Sequence, residues 1–324
     1  DRNSISATSR VLDMVSGLES LDTVLFLVSG GGSALFEKPA EGITLEDLSD
    51  VTEQLLSCGA HIDEINTIRK RLSMVKAGRF AQIVAPASIF SIILSDVLGD
   101  RTESIASGPA FPDETTSKEA LAIAKKFSLR LRPELIAEIE KETPKNLPQV
   151  TTILAGSVST LCASAETFLR QRGYKTLLLT TSLSCEAREA GSFLAAIARE
   201  VRASGNPLPP PCAIILGGET VVHLRGKGKG GRNQEMALAA ALGIARLPDT
   251  VVVSVGSDGT DGPTDAAGGI VDGNTMADLA RIGIDAEEML AANDSWTALD
   301  ACGGLVVTGP TGTNVNDLSI IICR

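Results

Sequence analysis

The sequence predicts an α/β protein of two layered domains with mostly parallel or mixed sheets. Three observations carry this. A chain of 324 residues is long enough for about two domains. Its hydrophobic content is 44% but its aromatic content only 3%. The core must therefore come from Val, Ile, Leu and Ala, as in proteins with buried parallel strands. Strand-length apolar runs at 150–155, 175–181 and 212–217 alternate with helical patterns at 157–172 and 186–203, the rhythm of a parallel or mixed sheet.

Taken in order, residues 4–15 place Ile5, Leu12 and Val15 at helical spacing, and 22–28 reads as a short buried strand. Residues 44–58 follow as a helix with acidic residues in its first turn, and a second helical region starts near Ile62. Residues 89–94 form a strand, and helices are expected at 116–127 and 133–141. The Pro144-Lys145-Asn146-Leu147-Pro148 segment is the best linker, which sets domains at 1–146 and 149–324. After the alternating stretch, 220–224 reads as β-like, 234–246 as a helix, and 250–255 and 318–323 as strands.

The net charge of −11 argues against nucleic acid as the main partner. No apolar run approaches the ~20 residues of a membrane span. Six cysteines without a CxxC pair and no signal-peptide pattern point to reduced thiols in a cytoplasmic protein. With only His61 and His223, a His/Cys zinc site or a Ser-His-Asp triad is not expected. Asp rather than Met at position 1 suggests a fragment, a processed product or missing first residues.

Against this acidic background, Arg225, Lys227, Lys229 and Arg232 fall within one glycine-rich stretch that ends at a helix start. Glycines let backbone N–H groups approach a ligand, and a helix N-terminus favours anions. The stretch therefore reads as a phosphate or carboxylate site, with a solvated basic turn as the alternative. Gly30-Gly31-Gly32-Ser33, at the end of the first strand, is either a phosphate-cradling nest or a tight turn. A second basic island carries Asn66, Arg69, Lys70, Arg71, Lys76 and Arg79. It is a solvated helix face or part of a shared anion pocket.

Two acidic loops end strands. Asp96 at the tip of 89–94 suits magnesium or proton transfer, or serves as a turn residue or cap. Asp258, Asp261 and Asp265 lie on a glycine loop. Their spacing does not match a calcium EF-hand, and magnesium held partly through nucleotide phosphates fits it better. The alternative is an Asp-rich turn.

Gly226-Lys227-Gly228-Lys229-Gly230-Gly231 formally satisfies the dinucleotide fingerprint G-x-G-x-x-G, although the acidic residue expected about 20 positions on falls at Asp249, before the next strand. Longer motifs carry a stronger signal. Leu27 to Leu35, Glu64-Ile65-Asn66-Thr67-Ile68-Arg69-Lys70, Leu94-Ser95-Asp96-Val97, Gly230-Gly231-Arg232-Asn233-Gln234-Glu235, Thr260 to Gly268 and Thr311-Gly312-Thr313-Asn314-Val315 resemble, in order, the glycerate 2-kinase family of the MOFRL type. Some members of that family carry the label hydroxypyruvate reductase.

The resemblance implies ATP-dependent phosphorylation of D-glycerate to 2-phosphoglycerate with magnesium, in a cleft between two α/β domains. It implies a MOFRL-like region at about 212–320 and catalytic roles for Asp96 and Arg232. With it, Gly30, Gly31, Gly32, Ser33, Lys227, Lys229, Gly230 and Gly231 are assigned to nucleotide phosphates. Asn66, Arg69, Lys76, Asn233 and Glu235 are assigned to substrate, and Asp258 and Asp261 to metal. Family members also carry an active-site lysine on a segment upstream of the point matching Asp1. The rival readings are an NAD(P)H-dependent hydroxypyruvate reductase and a catalytically inactive sugar-acid or nucleotide-binding protein. Small molecules are the expected partners, and the choice between monomer and homodimer stays open.

Overall fold

In the computed structural model, which describes residues 1–95 and 102–324, the first apolar run forms strand β1 (Thr23–Val28), preceded by helix α1 (Arg2–Met14). A four-residue helix α2 (Gly32–Leu35) follows, then α3 (Leu45–Ser57), α4 (Ile62–Arg71), α5 (Arg79–Val84) and β2 (Ser88–Leu94). After a 3-10 stretch at Thr102–Ser107 come α6 (Ser117–Lys126), α7 (Pro133–Ile139) and β3 (Val150–Gly156). Local chemistry sets several of these starts. Thr44 caps α3 and Thr116 caps α6, each in a reciprocal capping box with the acidic residue three positions on.

These elements make the first unit, which ends at Ala155. Its three strands lie in the order β1-β2-β3, with β1 parallel to β2 and Val24 opposite Ile89. One core packs Phe80, Val75 and Ile89 under the sheet, with the rings of Phe26, Phe36 and Phe80 in mutual contact. A second gathers Leu55, Ile68, Leu72 and Ile139 among α3, α4, α6 and α7. Strand β1 is not buried on both faces as expected, because Leu25 and Leu27 are exposed.

The second unit runs from Gly156 to Arg324. The expected domain start at 149 differs from this division by the length of β3, whose backbone joins the first sheet. The unit contains α8 (Val158–Gln171), β4 (Lys175–Leu183), α9 (Ala187–Ser204), β5 (Cys212–Gly218), α10 (Arg232–Ile244) and β6 (Thr250–Gly256). Then come β7 (Gly268–Asp272), α11 (Thr275–Arg281), α12 (Ala286–Ala291), α13 (Ser295–Ala301), β8 (Leu305–Val306) and β9 (Asp317–Cys323).

The α/β class is as predicted, and the larger sheet is mixed. Its order is β4-β5-β9-β6-β7-β8, with β4 and β5 parallel and the remaining pairs antiparallel. Helices α9 and α10 pack closely because residues at their contact are small: a Cβ on Gly243 would lie 2.6 Å from Ala195 Cβ. A Cβ on Gly191 would stand 2.3 Å from the Met236 carbonyl oxygen. The β-like run 220–224 does not form a strand. It makes a single bridge, Val221 to Glu186, and then leaves the sheet. Among the described residues, no helix is long and apolar enough to cross a membrane.

Candidate active site

The topology of the second sheet creates a site at one edge of its centre. Strands β5 and β6 point the same way and flank β9, which runs against both. The first residue of β9, Asp317, is therefore in register with the last residues of its neighbours, Gly218 and Gly256. The carboxyl ends of strands are where open α/β sheets place ligands. A cavity of about 550 Å³ opens there, lined by Ser184, Glu219, Val222, Arg232, Asp258 and Asp261 among others.

Arg232, the first residue of α10, is held from behind. Its Nε donates to Asp317 Oδ2 at 2.6 Å and its Nη2 to Asp317 Oδ1 at 3.0 Å, while Nη1 donates to Glu219 Oε1 at 2.9 Å. A guanidinium has five N–H donors. Three are engaged, so two remain on a side chain that lines the cavity. Burial works against its charge, but the surrounding carboxylates, Asp317 foremost and then Glu219 and Asp261, together outweigh this and raise its pKa. Arg232 stays a cation and presents fixed donors.

The N-terminus of α10 holds its anion internally. Asp261 Oδ1 accepts from the Asn233 backbone N–H at 3.1 Å and from Asn233 Nδ2 at 3.3 Å. Its Oδ2 accepts from the Gln234 backbone N–H and from Gln234 Nε2, each at 2.9 Å. Burial pushes the Asp261 carboxyl up to about 6 even though these bonds pull it down. Asp261 is thus the carboxylate that the helix dipole favours, with both oxygens engaged. The expectation of a bound phosphate at this terminus is replaced by a side chain of the protein itself.

The glycine-rich basic loop is likewise occupied by the protein. Arg225 and Gly226 donate their backbone N–H groups to Asn293 Oδ1 at 2.7 and 2.9 Å. Gly228 N–H donates to the Ala292 carbonyl at 2.9 Å and Lys229 N–H to Asp294 Oδ1 at 3.0 Å. A Cβ on Gly226 would lie 2.1 Å from the Ala292 carbonyl oxygen, and one on Gly231 would lie 2.3 Å from Asp261 Cγ. The glycines let this loop lie against 292–295 and Asp261, so they form neither a dinucleotide turn nor an open phosphate nest. The side chains differ. Lys229 Nζ sits 3.4 Å over the Trp296 ring and 3.9 Å from Asp265. Among the described residues, exposed Lys227 has no ion-pair partner.

The remaining assigned residues fall into three groups. Asn233 and Glu235 are buried and face inward. Asn233 Oδ1 accepts from Ser254 Oγ at 2.6 Å, and Glu235 binds Asn293 Nδ2 at 3.1 Å and Arg188 at 3.2 Å. They hold the scaffold instead of facing a substrate. Asp258 lines the cavity, with Oδ1 accepting from the Thr260 N–H at 2.9 Å. Among the described residues, no three His, Cys, Asp or Glu side chains are grouped to hold a metal ion. Asp258 suits an ion carried mainly by phosphates, whereas Asp261 does not, having no free oxygen.

In the first unit, Gly31 adopts a left-handed conformation and caps α2, so Gly30-Gly31 turns the chain from β1 into the short helix that Gly32 and Ser33 begin. Ser33 and Arg69 line a cavity of about 400 Å³ together with Glu37. Lys76 is fully buried, 2.9 Å from Glu37 Oε2 and 2.5 Å from the Ser33 carbonyl oxygen. Burial drives its pKa down. It is a structural cation that braces the glycine turn. Asn66 is partly buried on α4 and is not among the residues lining that cavity. Asp96 lies outside the described residues.

Sequence reasoning missed Asp317, Glu219, Gln234 and Asn293. A carboxylate at the first position of the closing strand was the available signal for Asp317. The carboxylate after Gly217-Gly218 was the signal for Glu219.

Comparison with known proteins shows the family to which the chain is similar. Residues 1–140 match a domain of unknown function, DUF4147, and residues 212–317 match the MOFRL family. The chain is 52% identical over 320 residues to a D-glycerate 2-kinase of Thermotoga maritima, covering 99% of this chain and 77% of that protein. It is 45% identical over 333 residues to a glycerate 2-kinase of Pyrococcus horikoshii, covering 99% and 75%. The crystal structure of a glycerate kinase from Thermotoga maritima superimposes with a TM-score of 0.95 at 52% identity, covering 100% of this chain and 78% of that one.

Proposed function

This chain belongs to the glycerate 2-kinase family of the MOFRL type, and on that premise we propose that it transfers the γ-phosphoryl group of ATP to the 2-hydroxyl of D-glycerate, giving 2-phosphoglycerate and ADP. Phosphoryl transfer needs positioning and charge neutralisation more than covalent catalysis. The observation that carries the proposal is Arg232, a cation clamped by two carboxylates with two N–H donors left over at a cavity wall. Those donors neutralise charge on the transferring phosphoryl oxygens.

The other roles follow from chemistry. Asp96 orients the glycerate hydroxyl or accepts its proton. Lys227 supplies charge to the nucleotide phosphates. Ser33 and Arg69, which share a cavity, make further anion contacts. Asp258 would hold magnesium delivered with the nucleotide, and the bound ion would offset phosphate charge. With six free thiols, the reducing cytoplasm is the proposed compartment.

The reductase reading rested on the G-x-G-x-x-G match, and those glycines serve close packing against Ala292, Asp294 and Asp261. The test measures ADP release with and without D-glycerate, identifies the phosphoglycerate formed, and follows NADH and NADPH oxidation with hydroxypyruvate. Glycerate-dependent ADP release with 2-phosphoglycerate as product is expected. Nicotinamide oxidation without ADP release would overturn the proposal in favour of the reductase. Binding without turnover would overturn it in favour of an inactive sensor.

A further inference from the structure

We propose that Asp317 is the positioning residue that aims Arg232 at the transferring phosphoryl group, an inference that rests on the kinase reading above. Asp317 opens the central strand β9 and is paired in register on both sides, with Gly218 and Gly256. Its backbone is therefore fixed by two neighbouring strands. Both of its lateral neighbours are glycine.

The carboxylate is buried, with 5% side-chain exposure, and engages both Nε and Nη2 of Arg232. Two parallel bonds to one carboxylate fix the plane of a guanidinium as well as its position. Glu219 holds only Nη1 and is 44% exposed, so it steadies the fork without setting its plane. The plane set by Asp317 decides where the two remaining N–H bonds point. Donors that meet the charge of the transition state raise kcat, whereas uniform binding alters KM. Asp317 should therefore govern kcat without touching substrate.

The test compares Asp317→Asn and Asp317→Glu with the wild type for kcat, for KM of ATP and of D-glycerate, and for thermal melting. Asp317→Asn should lower kcat by about 10–100-fold, by analogy with the loss when a hydrogen-bond partner that orients a metal ligand is removed, with both KM values little changed. Asp317→Glu keeps the charge and the fold but displaces the guanidinium by a methylene, and it should also lose roughly tenfold or more in kcat. In an Arg232→Met background, adding Asp317→Asn should produce no further loss, because the two residues act through one group.

A merely structural Asp317 would lower the melting temperature and leave kcat of the folded fraction intact. That result in both single variants would overturn the inference, as would losses that multiply in the double variant. If the Asn variant does not fold, the Glu variant decides. Failure of the kinase reading is distinct, because the wild type itself would then not turn over glycerate.

Discussion

Replacing Arg232 by lysine keeps the charge and removes the fork. In the structure, three guanidinium N–H groups bind Asp317 and Glu219, which leaves two for the cavity. An ammonium has three donors in all, and holding the same two carboxylates engages them. The variant therefore folds, since Asp317 keeps a cationic partner, but it offers nothing fixed to the phosphoryl group. Removing one such donor lowers kcat by about 10²–10³-fold. At 1.36 kcal/mol per factor of ten, even a 10²-fold loss is about 2.7 kcal/mol of transition-state stabilisation. Steady-state kinetics with ATP and D-glycerate, beside a melting curve, measure this directly. Wild-type kcat and KM in a folded Arg232→Lys variant would refute the assignment of Arg232 to the reaction.

Lys76→Met should destabilise the first unit by about 3–5 kcal/mol, because it leaves Glu37 buried without its cation. A variant that melts like wild type but shows a raised KM for glycerate would restore Lys76 to the substrate site. The Asp261 carboxyl should titrate near 6 in a carbon-13 spectrum of labelled protein, and a midpoint near the ordinary ~3.9 would contradict its burial. Because the folded pKa is raised, the folded state takes up this proton first. The stability Asp261 contributes is therefore fully present below about pH 4 and declines as pH rises through about 6. Asp96→Asn should melt like wild type and lose glycerate-dependent ADP release, and full activity in that variant would exclude Asp96 from catalysis.

Much of the scaffold was legible in the chain because hydrophobic periodicity reports burial. The expected strands 212–217, 250–255 and 318–323 lie within a residue of β5, β6 and β9. The Ala-rich helix α10 announced itself by composition. Strand β7 did not, since Gly268-Gly269-Ile270-Val271-Asp272 opens with two glycines. A Cβ on Gly268 would meet the Ser254 carbonyl oxygen at 2.0 Å and one on Gly269 the Leu299 side chain at 2.7 Å, long-range contacts that no local pattern encodes.

The same limit explains the site. Arg232, Asp258 and Asp261 could be named from their loops. Whether a loop's N–H groups face a ligand or another loop depends on residues far along the chain. Asn293 accepts from Arg225 and Gly226, and Asp261 occupies the α10 N-terminus, so sites that local chemistry marked for phosphate were filled from within. Asp317 was hidden for the opposite reason. A single Asp before an apolar strand carries no motif, and it becomes legible only once β9 is seen between β5 and β6.

The central claim is that Arg232 acts on phosphoryl transfer to the 2-hydroxyl of D-glycerate. A single-turnover experiment with enzyme in excess over γ-labelled ATP tests it most directly, because chemistry is then separated from product release. The label should appear in 2-phosphoglycerate, and Arg232→Lys should slow that step by roughly 10²-fold or more while ATP binds as in the wild type. Label in 3-phosphoglycerate, or an unchanged single-turnover rate in the lysine variant, would contradict the account.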